Sequence, residues 1–159
     1  MVQAHPLSHW LPCPVVFIST ACGDQRDIMT ATAMFIAEEE PLLAVSLARG
    51  HLTADLVNRA GGFALVIASV LQEKLVWQVG SMKGSEGDKF DRFAIKTLPP
   101  RPGKPLIPED AASYAACSLL SQQAIGGYVL LVARAVEWTD LNNPPLVWHR
   151  KALFSLTAI

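Results

Sequence analysis

Arg49-Gly50-His51-Leu52-Thr53 brings a guanidinium, an imidazole and a hydroxyl together where an apolar run ends and a helical pattern begins. A helix amino terminus presents unpaired N–H donors and the positive end of its dipole, which suit a phosphate. Arg49 adds a planar fork of charged donors to such a site, and Thr53 adds a hydroxyl. The same spacing also fits an ordinary capped turn with a surface arginine, and the segment alone leaves both readings open. Met29-Thr30-Ala31-Thr32-Ala33 is a run dominated by small and hydroxyl side chains. Such residues let a flat ligand approach the backbone, and they equally suit a strand packed into a core. Gly84-x-x-Gly87 is too sparse to identify a phosphate loop and reads as a flexible turn. His149, followed by Arg150 and Lys151, is either a structural histidine or a group that orients a ligand carbonyl. His5, His9 and Cys13 stand four apart and would share one helix face, as zinc ligands can. Pro6, Pro12 and Pro14 oppose a helix there, so no metal site is expected. There is no nucleophile elbow, Walker loop or dinucleotide fingerprint.

The elements that must position these residues are mostly strands. Residues 14–20 are apolar and β-branched, bounded by proline and by Gly23-Asp24, which predicts a strand and a hairpin turn over 22–27. The chain is expected to return as a strand over 28–36, with another over 41–48. Residues 53–60 predict a short helix capped by Thr53 and stopped by Gly61-Gly62, with Leu56, Val57 and Ala60 on its inner face. A buried strand over 63–68 leads to Ser69 and Gln72, a capping-box pair. The helix behind it should turn Leu71, Leu75, Val76 and Val79 inward and end at Gly80. Residues 80–87 read as loop and 88–93 as one helical turn. The proline-rich stretch 98–108 cannot pair continuously inside a sheet. Two long strands over 114–119 and 128–138 flank the Gly126-Gly127 hairpin. Short strands over 146–149 and 152–156 end the chain. At least six short strands with two small helices suggest a barrel.

The chain has 159 residues, 51% apolar and only 17% charged, with a net charge of −1. Such a composition excludes disorder, which needs low hydrophobicity and high net charge. The longest nearly unbroken apolar run, 63–71, is too short for a membrane-spanning helix, so no membrane role is expected. No Lys or Arg precedes Arg26, and a signal peptide's charged start is therefore not expected. The charges are mixed in sign without a basic block, which argues against a nucleic-acid partner. Cys13, Cys22 and Cys117 form no CxxC pair and read as reduced thiols. The excess apolar surface predicts a subunit interface or a bound cofactor.

Taken in order, these segments resemble the flavin reductase-like family of FMN-binding split barrels, over roughly residues 14–156. The resemblance is carried by Ile28-Met29-Thr30-Ala31-Thr32-Ala33 and by the strand Pro41-Leu42-Leu43-Ala44-Val45-Ser46-Leu47. Arg49-Gly50-His51-Leu52-Thr53-Ala54-Asp55-Leu56 is similar to the family's phosphate segment. Gly80-Ser81 through Asp88-Lys89-Phe90 resembles its Gly-Ser…Asp-Lys-Phe signature, and Pro145-Leu146-Val147-Trp148-His149-Arg150 its Pro-Leu-Val-Tyr-His-Arg ending. The chain departs from the pattern at Gly126-Gly127-Tyr128, where Gly-Asp-His is common, at Trp148, and at Thr32-Ala33. These differences bear on the nicotinamide side more than on flavin.

The resemblance implies a single domain over 1–159, mainly β: a Greek-key, FMN-binding split β-barrel with a few short helices. It implies FMN as cofactor, with FAD possible, and NAD(P)H as reductant, in a cytoplasmic homodimer with flavin at the interface. Thr30, Ala31, Thr32 and Ala33 would line the flavin ring, mainly through backbone groups. Ser46, Leu47 and Ala48 would run beside the ring and ribityl chain. Arg49, His51 and Thr53 would hold the phosphate. Ser81, Lys89 and Phe90 would close the pocket, from the same or the partner subunit, and His149 would lie on the nicotinamide side. The expected activity is hydride transfer from nicotinamide to flavin. The alternative is a non-catalytic flavin-binding or electron-transfer protein reduced by a redox partner protein.

Overall fold

The computed structural model describes residues 6–159. Strands β1 (Cys13–Pro14) and β2 (Val16–Cys22) come first, and β2 turns back through Gly23 and Asp24 into β3 (Gln25–Ala31). Cys22 pairs with Gln25, so the turn is tighter than the expected 22–27. The single strand expected over 28–36 is broken: β3 stops at Ala31, and β4 (Ala33–Ala37) begins after Thr32 alone. β5 (Leu42–Ala48), α1 (Leu52–Ala60) and β6 (Gly62–Ile67) follow. Next come α2 (Glu73–Gly80) and the one-turn α3 (Lys89–Arg92). The long hairpin β7 (Ser113–Ile125) and β8 (Tyr128–Asp140) leads to β9 (Leu146–His149) and β10 (Ala152–Ser155). β7 runs well past the expected 119, because β8 continues to pair with it as far as the turn.

Seven strands form one sheet in the order β3-β2-β6-β7-β8-β5-β4, and β1, β9 and β10 form a second. β3 and β4 are thus opposite edges of the large sheet, yet one residue joins them. Two peptide steps reach about 7 Å, so the sheet must curl until its edges almost meet. The result is a barrel with a seam at Thr32, where no ladder closes it. The architecture is mainly β, a split barrel with a few short helices, as expected.

Strand alternation divides the apolar residues between two cores. Val16, Ile18, Leu43, Val45, Leu47, Phe63, Leu65, Ala115, Cys117, Leu131 and Ala133 fill the barrel, joined by Val57 of α1. Phe17, Ile28, Ala64 and Val66 point outward and pack beneath Val76 and Val79 of α2, Phe90 of α3 and Leu146 of β9. Full burial of each such large side chain contributes roughly 1.5–3 kcal/mol. β2 and β6 are therefore covered on both faces, which explains their nearly continuous apolar runs.

Three helix expectations need correction. Thr53 does not cap α1; His51 holds the N-cap position, two residues earlier than the hydroxyl suggested. Ala60 and Leu71 are exposed rather than on inner faces. Leu71 escapes because the Ser69–Gln72 capping box opens a 3-10 turn, whose different pitch rotates that side chain outward before α2 begins.

Candidate functional site

The open seam is the first part of the site. An edge strand bonds a neighbour on one side only, so alternate N–H and C=O groups of its other side face outward. Thr30, Ala31, Thr32 and Ala33 span the end of one edge and the start of the other. β4 covers β5 only as far as Val45. Beyond it, the same edge of Ser46, Leu47 and Ala48 has no strand beside it and faces β3, with which β5 makes contact. Leu47 offers backbone alone there, since its side chain is buried in the barrel. At about 3.3 Å per residue, the groove runs roughly 10 Å from Ser46 to Arg49.

At that end lies a small cleft of about 140 Å³, lined by Arg49, Gly50, His51 and Leu52 on one wall and Lys83, Gly84 and Ser85 on the other. Arg49 is anchored at the β7–β8 turn: its N–H donates to the Gly127 carbonyl at 2.9 Å, and its Nη1 donates to the Gly126 carbonyl at 3.3 Å. The rest of its donor fork is available to a ligand. His51 forms no side-chain cap to the first turn of α1, which leaves the helix's positive end uncapped beside two cations. Thr53 is elsewhere. Fully buried, it donates from Oγ1 to Asp27 Oδ2 at 2.6 Å and cannot offer its hydroxyl to a ligand in the cleft.

At the other end is an open cavity of about 460 Å³ against the outer face of β3. Thr30, Ala31 and Thr32 form its floor; Val76, Trp77, Gly80 and Ser81 come from α2 and the residue after it; Cys13, Pro14, Val15 and Trp148 complete it with Ser8. Thr30 Oγ1 donates to the Val76 carbonyl at 3.2 Å, fixing α2 to the strand. Trp77 and Trp148 meet edge to face, with ring centroids 5.7 Å apart. Ser81 is among the lining residues. His149 is not among the lining residues; its ring sits 6.3 Å from that of Phe154, while its neighbour Trp148 faces the cavity.

Lys89 and Phe90 do not close this pocket. They are only 2% and 4% exposed, so neither presents its side chain to a ligand. Asp88 caps α3 by accepting from the N–H of Phe90 at 2.8 Å, and it pairs with Arg26 Nε at 2.7 Å. Lys89 Nζ donates to the Ile28 carbonyl at 2.6 Å and lies 3.3 Å from Asp27 Oδ1. Phe90 packs in the outer core. The Asp-Lys-Phe segment thus pins the loop that carries Lys83 instead of touching a ligand itself.

Among the described residues, no three His, Cys, Asp or Glu side chains converge on a metal position. His5 lies outside the described residues, and His9 ends a 3-10 turn rather than continuing a helix toward Cys13. Sequence reasoning missed Lys83 and Trp77. Lys83 could have been noticed as a lone cation in a glycine-bearing loop, and Trp77 as a large aromatic on the otherwise polar side of α2.

The barrel is split at one seam, with an apolar cavity at one end and a cationic cleft at the other. The chain belongs to the flavin reductase-like family, whose domain model matches residues 7–157. It is 30% identical over 124 residues to the uncharacterized protein YddH of Escherichia coli K12, covering 75% of this chain and 66% of that protein. The chain therefore spans slightly less than two thirds of this relative's length. The fold is shared with the NADH:FAD oxidoreductase SgcE6 of Streptomyces globisporus, at a TM-score of 0.82 and 13% identity, covering 93% of this chain and 88% of that one. It is also shared with an FMN-binding protein of Thermus thermophilus solved with p-hydroxybenzaldehyde, at a TM-score of 0.82 and 20% identity, covering 98% and 94%. Among the described residues, no helix is long and apolar enough to cross a membrane.

Proposed function

We propose that this protein is an NAD(P)H-dependent flavin reductase that holds FMN along the barrel seam. The observation that carries the reading is the pairing of an accessible strand edge at residues 30–32 with the Arg49–Lys83 cleft at the end of the same groove. The donor set fits a phosphate monoester: a guanidinium, an ammonium and an uncapped helix amino terminus. Arg49, Lys83 and His51 would bind that phosphate. Thr30, Ala31, Thr32 and Ala33 would orient the ring by backbone hydrogen bonds, with Ser46 and Ala48 along the connecting chain. Val76, Trp77, Trp148 and Pro14 would exclude water and offer an apolar surface to a nicotinamide. Bound flavin supplies the redox chemistry, accepting a hydride from reduced nicotinamide. No acid or base on the protein is required for that transfer.

The protein would act as a homodimer in the cytoplasm. Met34 and Phe35 stand exposed on edge strand β4, and Val136 and Trp138 on β8. Apolar surface of this kind marks an interaction face. The second reading, a flavoprotein reduced only by a protein partner, is favoured by Gly126-Gly127-Tyr128, which lacks the histidine of the Gly-Asp-His common at this hairpin.

Anaerobic stopped-flow mixing of FMN-loaded protein with NADH and with NADPH decides between them. Bleaching of the flavin absorbance is expected with at least one. No bleaching with either, in protein that retains FMN, refutes the reductase reading. Elution at monomer size in sizing experiments contradicts the dimer.

A further inference from the structure

We propose that Asp27 is a positioning residue that sets the width of the anion cleft by holding both of its walls; this rests on reading the cleft as the flavin phosphate site. Asp27 lies on β3, is 2% exposed, and touches no part of the cleft's surface. One carboxylate oxygen, Oδ2, accepts from Thr53 Oγ1 at 2.6 Å and so ties down the first turn of α1, the wall that carries Arg49, Gly50 and His51. The whole carboxylate also presses on Gly84, in the wall that carries Lys83 and Ser85. A Cβ at Gly84 would collide with Oδ2, and it would stand only 2.7 Å from Cγ and 3.0 Å from Oδ1. Real Cβ atoms do not approach so closely, so a side chain at 84 would have to displace either the loop or the Asp27 carboxylate, which Thr53 holds in place. One side chain thus spaces Arg49 from Lys83.

A carboxylate beneath an anion site would normally oppose the ligand. Here Lys89 Nζ lies 3.3 Å from Oδ1 and offsets the charge. Oδ1 makes no hydrogen bond of its own among the described residues. The pair is formally neutral and works by shape. A buried pair is weak evidence of added stability, which leaves spacing as the role that its contacts describe.

The test compares FMN with riboflavin, which lacks the phosphate, by quenching of flavin fluorescence. The wild type, Asp27→Ala, Asp27→Asn and Gly84→Ala are titrated with each. A general loss of stability would weaken both flavins alike, whereas a misplaced wall weakens FMN alone. Asp27→Ala and Gly84→Ala are each expected to lower the preference for FMN about tenfold, as loss of one charge-assisted contact would. Asp27→Asn, with the same shape and an oxygen to accept from Thr53, should keep the preference within about twofold. Gly84→Ala retains the Asp27–Lys89 pair and gives the answer even if Asp27→Ala or Asp27→Asn, both of which strand the Lys89 charge, fails to fold. Equal losses for both flavins, or an unchanged preference in Gly84→Ala, overturn the proposal. Loss of the preference in Asp27→Asn also overturns it, since charge would then matter rather than shape. A wild type that binds FMN no better than riboflavin refutes the phosphate reading itself, and the proposal with it.

Discussion

Arg49→Ala gives the sharpest test of the cationic cleft. The Arg49 side chain is exposed, and its bond to the Gly126 carbonyl is long at 3.3 Å. Removing it should therefore change fold stability by no more than about 0.5 kcal/mol, as at other exposed positions. Its effect on a bound phosphate is larger. A hydrogen bond to a charged group contributes about 1.5–3 kcal/mol, and each 1.4 kcal/mol is tenfold in affinity. FMN binding should weaken by roughly ten- to a hundredfold, and riboflavin binding by less than about twofold. Lys83→Ala should act in the same direction but less strongly, because its flexible ammonium gives a point charge rather than a fork. The two cations share one cleft, so the double variant should not show the sum of the single effects. Salt supplies a second readout: both residues are exposed, and screening at physiological ionic strength acts over about 8 Å. Affinity for FMN should fall with added salt in the wild type and fall less in Arg49→Ala. Fluorescence titrations with both flavins at two salt concentrations measure all of this. Equal losses for FMN and riboflavin, or unchanged FMN affinity, would show that the guanidinium does not meet the phosphate.

Gly62→Ala should destabilise the fold by about 1–3 kcal/mol, the usual cost of overpacking, because its Cβ would stand 2.5 Å from the Cys117 carbonyl oxygen in a paired strand. A urea midpoint equal to that of the wild type would refute this. Burial pushes the Cys117 thiol up to about 11 from its ordinary value of 9.0. The fold thus holds the proton that the unfolded chain releases first, so this contribution to stability is intact below about pH 9 and is lost as pH rises through 11, by roughly 3 kcal/mol in all. Cys117→Ala should flatten that decline in reducing buffer, and an unchanged slope would assign it to other groups. Trp77→Ala should leave FMN affinity within about threefold, since it removes apolar lining and no phosphate contact, while raising the KM for reduced nicotinamide; an unchanged KM would place the nicotinamide elsewhere.

The strands were legible in the sequence because alternation and apolar runs are local signals, and β2, β5 and β6 lie close to where those signals place them. The barrel seam was not. Nothing in Met29-Thr30-Ala31-Thr32-Ala33 itself says that the strand changes edges at Thr32; that follows only from which distant strands pair with each half. The errors at Thr53 and Lys89 share one cause. Both are polar residues next to a recognisable motif, and polar side chains there are read as ligand contacts. Each instead meets Asp27, a partner 26 residues away from Thr53 and 62 from Lys89. Buried polar groups are taken up by whichever partner the fold brings near, and that pairing is tertiary information. Leu71 failed for a local reason, since the periodicity assumed an α-helical pitch where the chain makes a 3-10 turn.

The two ends of the groove should differ in their tolerance of substitution. At the seam, binding would depend on strand edges that exist because the barrel does not close. Side chains matter there chiefly by being small, so Thr32-Ala33 serves as well as other short pairs. At the cleft, recognition would depend on two charges held apart by Asp27 and Gly84, and there the identity of each residue counts. The Asp88-Lys89-Phe90 segment belongs to neither end. Its capping bond, buried ion pair and core phenylalanine hold the loop that delivers Lys83. The segment therefore supports the cleft without lining it, because the loop it anchors must stand at a fixed distance from helix α1.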